Sequence, residues 1–320
     1  MTALGLLAPG APVSGGDWHI GNQLHCSDCH VMHASRRGIG YGGGLPGPTG
    51  YPKLLRASTA SELCLTCHDG GSGTGDSAPD VMSAAPYETA SLKRASGAFQ
   101  AAVGASTDNG HDLGMASQTA PGGTWSSGTG MSCASCHDPH GNAYYRNLVP
   151  LPGNALTQRP VTAVTQTVLT PTATQYSVGN LRYTSSTNGL AAWCQGCHTN
   201  FHGQPGDANM GGAAGGDVPG SSSYWFRHPT MGITMAQGVT NLHIDSSYWF
   251  TGALSRVPAV SPSGVIPGSS GSSDNEVFCG SCHKAHGSAH PSGMIWDDPS
   301  TSALEDGALE RQTCQTCHYY

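Results

Sequence analysis

The chain has 320 residues and a mass of 32.7 kDa, of which 37% are hydrophobic and only 10% charged, against about 25% charged in an ordinary soluble domain. It is too poor in apolar side chains for a large core, too weakly charged for a typical disordered tail, and holds no run near the roughly 18 apolar residues of a membrane-spanning helix. Its formal charge of −7 excludes a basic nucleic-acid-binding surface.

In chain order, residues 1–18 form a Gly/Pro-rich arm ahead of a single domain over 19–320. A short helix is expected over 58–65. The run 161–178 alternates Thr with Val or Leu around Pro171, and predicts a small hairpin. Ser222-Ser-Tyr-Trp-Phe226 and Ser246-Ser-Tyr-Trp-Phe250 are near copies, read as aromatic plugs. A relay role for Trp225 or Trp249 has no support in the sequence. A second short helix is expected over 303–314, with Ser302 as its cap and Asp306 and Glu310 one turn apart. The remainder, built mostly of Gly, Ser, Thr, Pro and Ala, reads as loop.

All 12 cysteines fall in one pattern. They form Cys26-Ser-Asp-Cys29-His30, Cys64-Leu-Thr-Cys67-His68, Cys133-Ala-Ser-Cys136-His137, Cys194-Gln-Gly-Cys197-His198, Cys279-Gly-Ser-Cys282-His283 and Cys314-Gln-Thr-Cys317-His318. Such pairs could make zinc sites or redox disulfides, but neither requires His after every second Cys. C-x-x-C-H is the attachment motif of c-type haem: two thiols bond to the porphyrin edge and the adjacent His becomes the proximal iron ligand. Six motifs with no cysteine left over imply six haem c groups. The expected fold is mostly irregular coil with few short helices and minimal strand, a multihaem cytochrome c wrapped around a stacked haem chain. The irregular motif spacing argues against a solenoid of one repeated unit.

The sixth iron ligand separates an electron carrier from a substrate-binding haem. Six of the 16 His are proximal, which leaves His19, His25, His33, His111, His140, His202, His228, His243, His286 and His290. Ten candidates permit two His at every iron. His33, His140 and His286 follow a proximal His by three residues, and His202 by four. A His so close to its own haem reaches a neighbouring iron more readily than the far face of its own, so close-packed haems are expected. His111 and His228 lie in loops that offer no other use for them. His33, His111, His140, His202, His228 and His286 are therefore the expected distal ligands, with His243 and then His19 in reserve. His25 and His290 are read as solvated or propionate-bonding residues.

These residues resemble the extracellular hexahaem cytochromes that polymerise into filaments, the OmcS-type cytochrome nanowires. The likeness runs nearly end to end. It covers Cys-Ser-Asp-Cys-His-Val-Met-His (26–33), Gly-His-Asp near 111, Thr-Ala-Pro-Gly-Gly-Thr (119–124), Cys-Ala-Ser-Cys-His-Asp-Pro-His-Gly (133–141), Trp-Cys-Gln-Gly-Cys-His-Thr-Asn-Phe-His (193–202), Arg-His-Pro (227–229), Cys-Gly-Ser-Cys-His-Lys-Ala-His (279–286) and the terminal motif. The resemblance implies two His at every haem, a haem chain continuous from subunit to subunit, and a homopolymer in which His33 ligates a haem of the adjacent subunit. This chain is shorter than that family, mainly between motifs, so the transfer is weakest for loop-borne His228 and His243.

Covalent haem attachment takes place outside the cytoplasmic membrane. Residues 1–12 lack a basic n-region, so a cleaved leader outside this numbering is expected. The function expected is non-enzymatic long-range electron transfer in an extracellular, cell-surface filament, between redox donors and extracellular acceptors. A monomeric periplasmic shuttle is the alternative, and a multihaem reductase a more distant one.

Overall fold

The computed structural model describes residues 19, 24–31, 35–36, 39–40, 51–68, 78, 81–82, 96–99, 110–165, 181–184, 189–199, 230, 260, 276–288 and 290–294. The described residues are mostly coil, as the sequence leads one to expect. Four short α-helices stand out: α1 (Cys26–Cys29), α2 (Ala60–Cys64), α3 (Cys133–Cys136) and α4 (Leu190–Cys194). Two small antiparallel ladders join β1 (Ser35–Arg36) to β2 (Ile39–Gly40) and β3 (Ala163–Thr165) to β4 (Leu181–Tyr183).

The helix expected over 58–65 is α2. It starts where Thr59 caps it: the Thr59 Oγ1 accepts from the Glu62 amide at 3.1 Å, and the Glu62 carboxylate accepts from the Thr59 amide at 3.2 Å. The hairpin differs from its expectation. Its first strand lies inside 161–178, but the partner lies past the end of that run, and Pro171 is outside the described residues. Burial sets the pairing: Ala163 faces Tyr183, and both are within 4% of fully buried. Bridges from Tyr183 to Val260 and from Val260 to Glu276 extend the ladder. The expected arm (1–18), the helix over 303–314 and both Ser-Ser-Tyr-Trp-Phe copies also lie outside the described residues.

The five described haem motifs take two alternating forms. In the first, third and fifth, the helical turn begins at the first Cys, as in α1, α3 and a 3₁₀ turn at Cys279–Ser281. The third residue of each motif holds that start in place. The side chains of Asp28, Ser135 and Ser281 accept from the amides of His25, Ser132 and Phe278 at 2.7, 3.0 and 3.2 Å. In the second and fourth, α2 and α4 instead end at the first Cys. In all five described motifs the His amide donates to the carbonyl of the first Cys, at 2.8–3.0 Å.

The odd motifs share a second part. After each, the chain returns through a turn in which two consecutive residues have positive φ: Lys53 and Leu54, Arg146 and Asn147, Ser292 and Gly293. The returning strand then bridges the proximal His, pairing His30 with Leu55, His137 with Leu148 and His283 with Met294. The residue after each proximal His repeats the same bond, Val31 to Leu54, Asp138 to Asn147 and Lys284 to Gly293, at 2.8, 2.6 and 2.7 Å. The returns follow at different distances along the chain, so irregular spacing conceals a structural repeat.

The side-chain core is small. Tyr145, Leu148, Val161, Ala163, Tyr183, Ala191, Val260 and Phe278 form one buried cluster, with Leu190, Trp193 and Cys279 packed on it. Tyr183 meets Tyr145 and Phe278 edge-on at 5.6 and 5.2 Å. The cluster lies where the fourth and fifth motifs meet.

Candidate haem-binding site

Each described motif holds two free thiols and one imidazole, the set needed for covalent attachment. The first Cys of an even motif meets the first Cys of the next odd one. Cys64 donates a hydrogen bond to Cys133, which raises the Cys64 thiol and lowers that of Cys133 to about 7. Cys194 donates to Cys279 in the same way, raising the one and lowering the other. Ser61, 1% exposed, adds a bond from the Cys133 amide to its Oγ at 3.2 Å. Burial pushes the thiols of Cys136 and Cys197 up to about 12 and 11. Cys314, Cys317 and His318 lie outside the described residues.

Among the described residues, eight histidines stand in four pairs. Ring centroids lie 6.2 Å apart for His30 and His140, 6.2 Å for His68 and His19, 6.2 Å for His137 and His286, and 5.9 Å for His198 and His111. Metal–imidazole bonds of about 2 Å on each face, plus roughly 1 Å from nitrogen to ring centre, put two trans ligands about 6 Å apart. Every pair joins one proximal His to one His from elsewhere in the chain.

Six of the described histidines have Nδ1 already engaged. His30, His137, His198 and His283 donate Nδ1–H to the carbonyls of Lys53, Arg146, Pro121 and Ser292 at 3.0, 2.8, 2.9 and 3.0 Å. His19 and His111 donate likewise to Pro139 and Ala285, at 3.1 and 2.8 Å. A carbonyl acceptor at Nδ1 fixes the neutral tautomer, aims Nε2 away from it and raises ligand basicity. Burial favours the neutral form and outweighs the carbonyl bonds, which favour the charged one, holding His111 and His137 below the usual imidazole range. The donor set thus fits haem c: paired thiols, a neutral proximal Nε2 and an opposing imidazole at ligand separation.

The three positive-φ turns supply three of these acceptors, from Lys53, Arg146 and Ser292. A left-handed residue turns its carbonyl back toward the preceding motif, where an extended residue would run past it. Pro121, in the Thr-Ala-Pro-Gly-Gly-Thr segment, serves the fourth motif. Gly123 there approaches so closely that an added Cβ would lie 1.8 Å from the Cys197 carbonyl oxygen.

Of the expected distal residues, the structure brings His111, His140 and His286 to proximal partners; His33, His202 and His228 lie outside the described residues. His19, held in reserve by the sequence reading, stands opposite His68. Its sequence context, Asp-Trp-His-Ile, gives no local sign of that role. His25 takes its place at the start of α1, and His290 opens the turn after the fifth motif. The reserve His243 is outside the described residues. The sequence reading missed the carbonyl acceptors, for which Tyr-Pro-Lys-Leu-Leu (51–55), Tyr-Tyr-Arg-Asn-Leu (144–148) and His-Pro-Ser-Gly-Met (290–294) carry only a faint common pattern.

No family model matches the chain. It is 24% identical to C-type cytochrome OmcS of Geobacter sulfurreducens, over 92% of this chain and 88% of that one. In structure it is similar to the outer membrane cytochrome S filament of Geobacter sulfurreducens, with a TM-score of 0.55, 20% identity, and coverage of 95% of this chain and 94% of that one. A second structure, of OmcS nanowires from the same organism, aligns with a TM-score of 0.46 at 20% identity over 93% of each chain. In sequence the chain is similar to a c-type cytochrome, and its fold is that of the cytochrome S filament subunit.

Proposed function

We propose that this protein is a non-enzymatic electron conduit of six covalent haems, each held between two His, whose subunits join head to tail in an extracellular filament. The observation that carries the reading is the set of four proximal–distal His pairs at 5.9–6.2 Å. A haem iron bound there supplies a one-electron ferric/ferrous couple. Two imidazoles at an iron close both axial positions to substrate, which separates a conduit from a reductase. Where Nδ1 bonds a backbone carbonyl, as in His19, His30, His111, His137, His198 and His283, the bond orients the ring and raises its basicity as a ligand.

The order of the pairs supports assembly. His140, from the third motif, faces the His of the first; His286, from the fifth, faces the His of the third. Carried one step further, the His of the fifth motif, His283, calls for the equivalent residue of a seventh motif. On the head-to-tail reading that residue comes from the first motif of another copy, where its equivalent is His33. A ligand given in that sense is a heterologous contact, which extends into an open filament unless its rotation closes. His19 opposite His68 and His111 opposite His198 leave one distal ligand to find for the sixth haem. His202, His228 and His243, between the fourth and fifth motifs, are the candidates by position.

The test is a haem count on the purified native protein, an electron paramagnetic resonance spectrum and electron microscopy of the cell surface. Six haems per chain, all low-spin, in filaments is the expected result. A monomer with six low-spin haems would favour a periplasmic shuttle, and a high-spin haem that binds substrate in the assembled state a reductase. His33→Ala should leave one haem per subunit with a vacant or substituted axial position and impair filament growth; unchanged filaments with six low-spin haems would remove His33 from the ligand set.

A further inference from the structure

The four histidine pairs differ in the angle between their rings. The planes are 24° apart for His30 and His140, 32° for His19 and His68, and 34° for His111 and His198, but 58° for His137 and His286. That last pair also meets a third ring. Phe99, half-buried, stacks on His286 with centroids 4.7 Å apart and planes 24° apart.

Backbone bonds fix the stack from both sides. The His286 amide donates to the Ser96 carbonyl at 2.8 Å, and the Ala98 amide donates to the Gly287 carbonyl at 3.2 Å. Ala98 is fully buried. The Phe99 amide donates in turn to the Val81 carbonyl at 2.8 Å, and Phe99 bridges Met82. Gly97 permits the approach, since a Cβ there would lie 1.9 Å from the Gly287 carbonyl oxygen. Phe99 is thus carried on a segment tied to the residue it covers. An imidazole turning about its bond to iron swings an edge out of its own plane, and here that edge would meet the phenyl face.

The angle matters to a low-spin ferric iron, whose unpaired electron occupies one of two iron orbitals of π symmetry. Parallel imidazole planes separate the two in energy and stabilise the ferric state. Crossed planes bring them toward degeneracy, which removes that stabilisation and makes the ferric spectrum strongly anisotropic. Groups around a ligand that set its orientation therefore tune the haem.

We infer that Phe99 is a positioning residue for the third haem. It holds His286 crossed to His137, so that this haem has a more anisotropic ferric state than the first, second and fourth, and a higher potential than near-parallel planes would give it. The inference rests on the two-His ligation proposed above.

Electron paramagnetic resonance of the ferric holoprotein, with a redox titration of the same samples, tests it. The parent should show a low-spin signal with a single large g value. His286→Ala should remove one haem's intensity from that signal and open one haem to cyanide. Phe99→Tyr keeps the ring and should keep the signal. Phe99→Ala should move one haem's intensity into the ordinary rhombic spectrum with no loss of low-spin haem. At fixed potential it should also lower that haem's ferrous-to-ferric ratio several-fold, each tenfold being about 59 mV for one electron. Phe99→Leu, which keeps apolar bulk without a flat face, should do the same and reads the effect where Phe99→Ala loses the fold. An unchanged large-g signal in Phe99→Leu, or its loss in Phe99→Tyr as well, would overturn the inference. So would a parent without that signal, or a signal that survives His286→Ala undiminished while a haem opens to cyanide. A His286→Ala protein in which no haem opens would instead remove His286 from the ligand set and overturn the ligation reading.

Discussion

Gly110→Ala places one carbon where two haem sites are held together. The new Cβ would stand 2.5 Å from the Gly287 Cα, 2.9 Å from its amide nitrogen and 3.0 Å from the His286 carbonyl oxygen. All three are backbone atoms, so no side chain can rotate away. Gly287 has φ +119° and is itself pressed by Gly97, whose added Cβ would lie 1.9 Å from its carbonyl oxygen. The 110 and 287 segments must therefore part by about 1 Å to reach ordinary contact. That displacement breaks the 2.8 Å bond from His111 to Ala285 and moves His286 relative to His137. On the proposed ligation these are the distal ligands of the fourth and third haems. An outer-shell loss of this kind costs about 10–100-fold in ligand hold. Cyanide titration of the ferric variant, followed in the visible and by electron paramagnetic resonance, should show two haems exchanging at that enhanced level and four unchanged. Gly128→Ala is the control: nothing lies within 4 Å of its added Cβ, and φ of +57° limits its effect to local strain of roughly 1–2 kcal/mol. A folded Gly110→Ala protein whose six haems exchange as in the parent would refute the reasoning, as would a change in all six.

Three further substitutions probe the pairing and the core. His19→Ala should cost one haem per chain its low-spin signature, whereas His25→Ala should cost none, since the His25 bond that starts α1 comes from its backbone amide; near-infrared magnetic circular dichroism distinguishes them, and equal behaviour would undo the assignment. Phe278→Ala empties a position 1% exposed beside Tyr183, at a cost of about 3–5 kcal/mol, and should lower the unfolding midpoint of the holoprotein by roughly 5–10 °C. An unchanged midpoint would mean that the side-chain cluster contributes little beside the haems.

Much of this site was legible in the sequence because its chemistry is local. Two thiols and an imidazole must lie within five residues to grip one porphyrin edge, so the proximal sets could be read directly. Partners brought from far along the chain leave no such mark. His19 lies 49 positions from His68, and His111 lies 174 from the Ala285 carbonyl that orients it. A carbonyl acceptor has no residue identity at all: Lys53, Arg146, Pro121, Ser292, Pro139 and Ala285 have nothing in common but a backbone oxygen. The alternation of the motifs stood in the sequence, since only the first, third and fifth continue to C-x-x-C-H-x-x-H. Its meaning needed the observation that His140 and His286 each face a proximal His two motifs earlier.

That offset of two bears on why such a chain would assemble at all. On the proposed ligation, His140 and His286 each complete a site two motifs earlier, opposite His30 and His137. A segment of the same kind from another copy would complete a site by the same geometry, which makes the contact heterologous and able to extend into a filament. It also explains why a sheath of so few apolar residues could suffice. On the proposed ligation the third and fifth segments each touch three haems, and a length of chain anchored at a proximal Nε2, a distal Nε2 and an orienting carbonyl has little conformational freedom left for side-chain packing to remove.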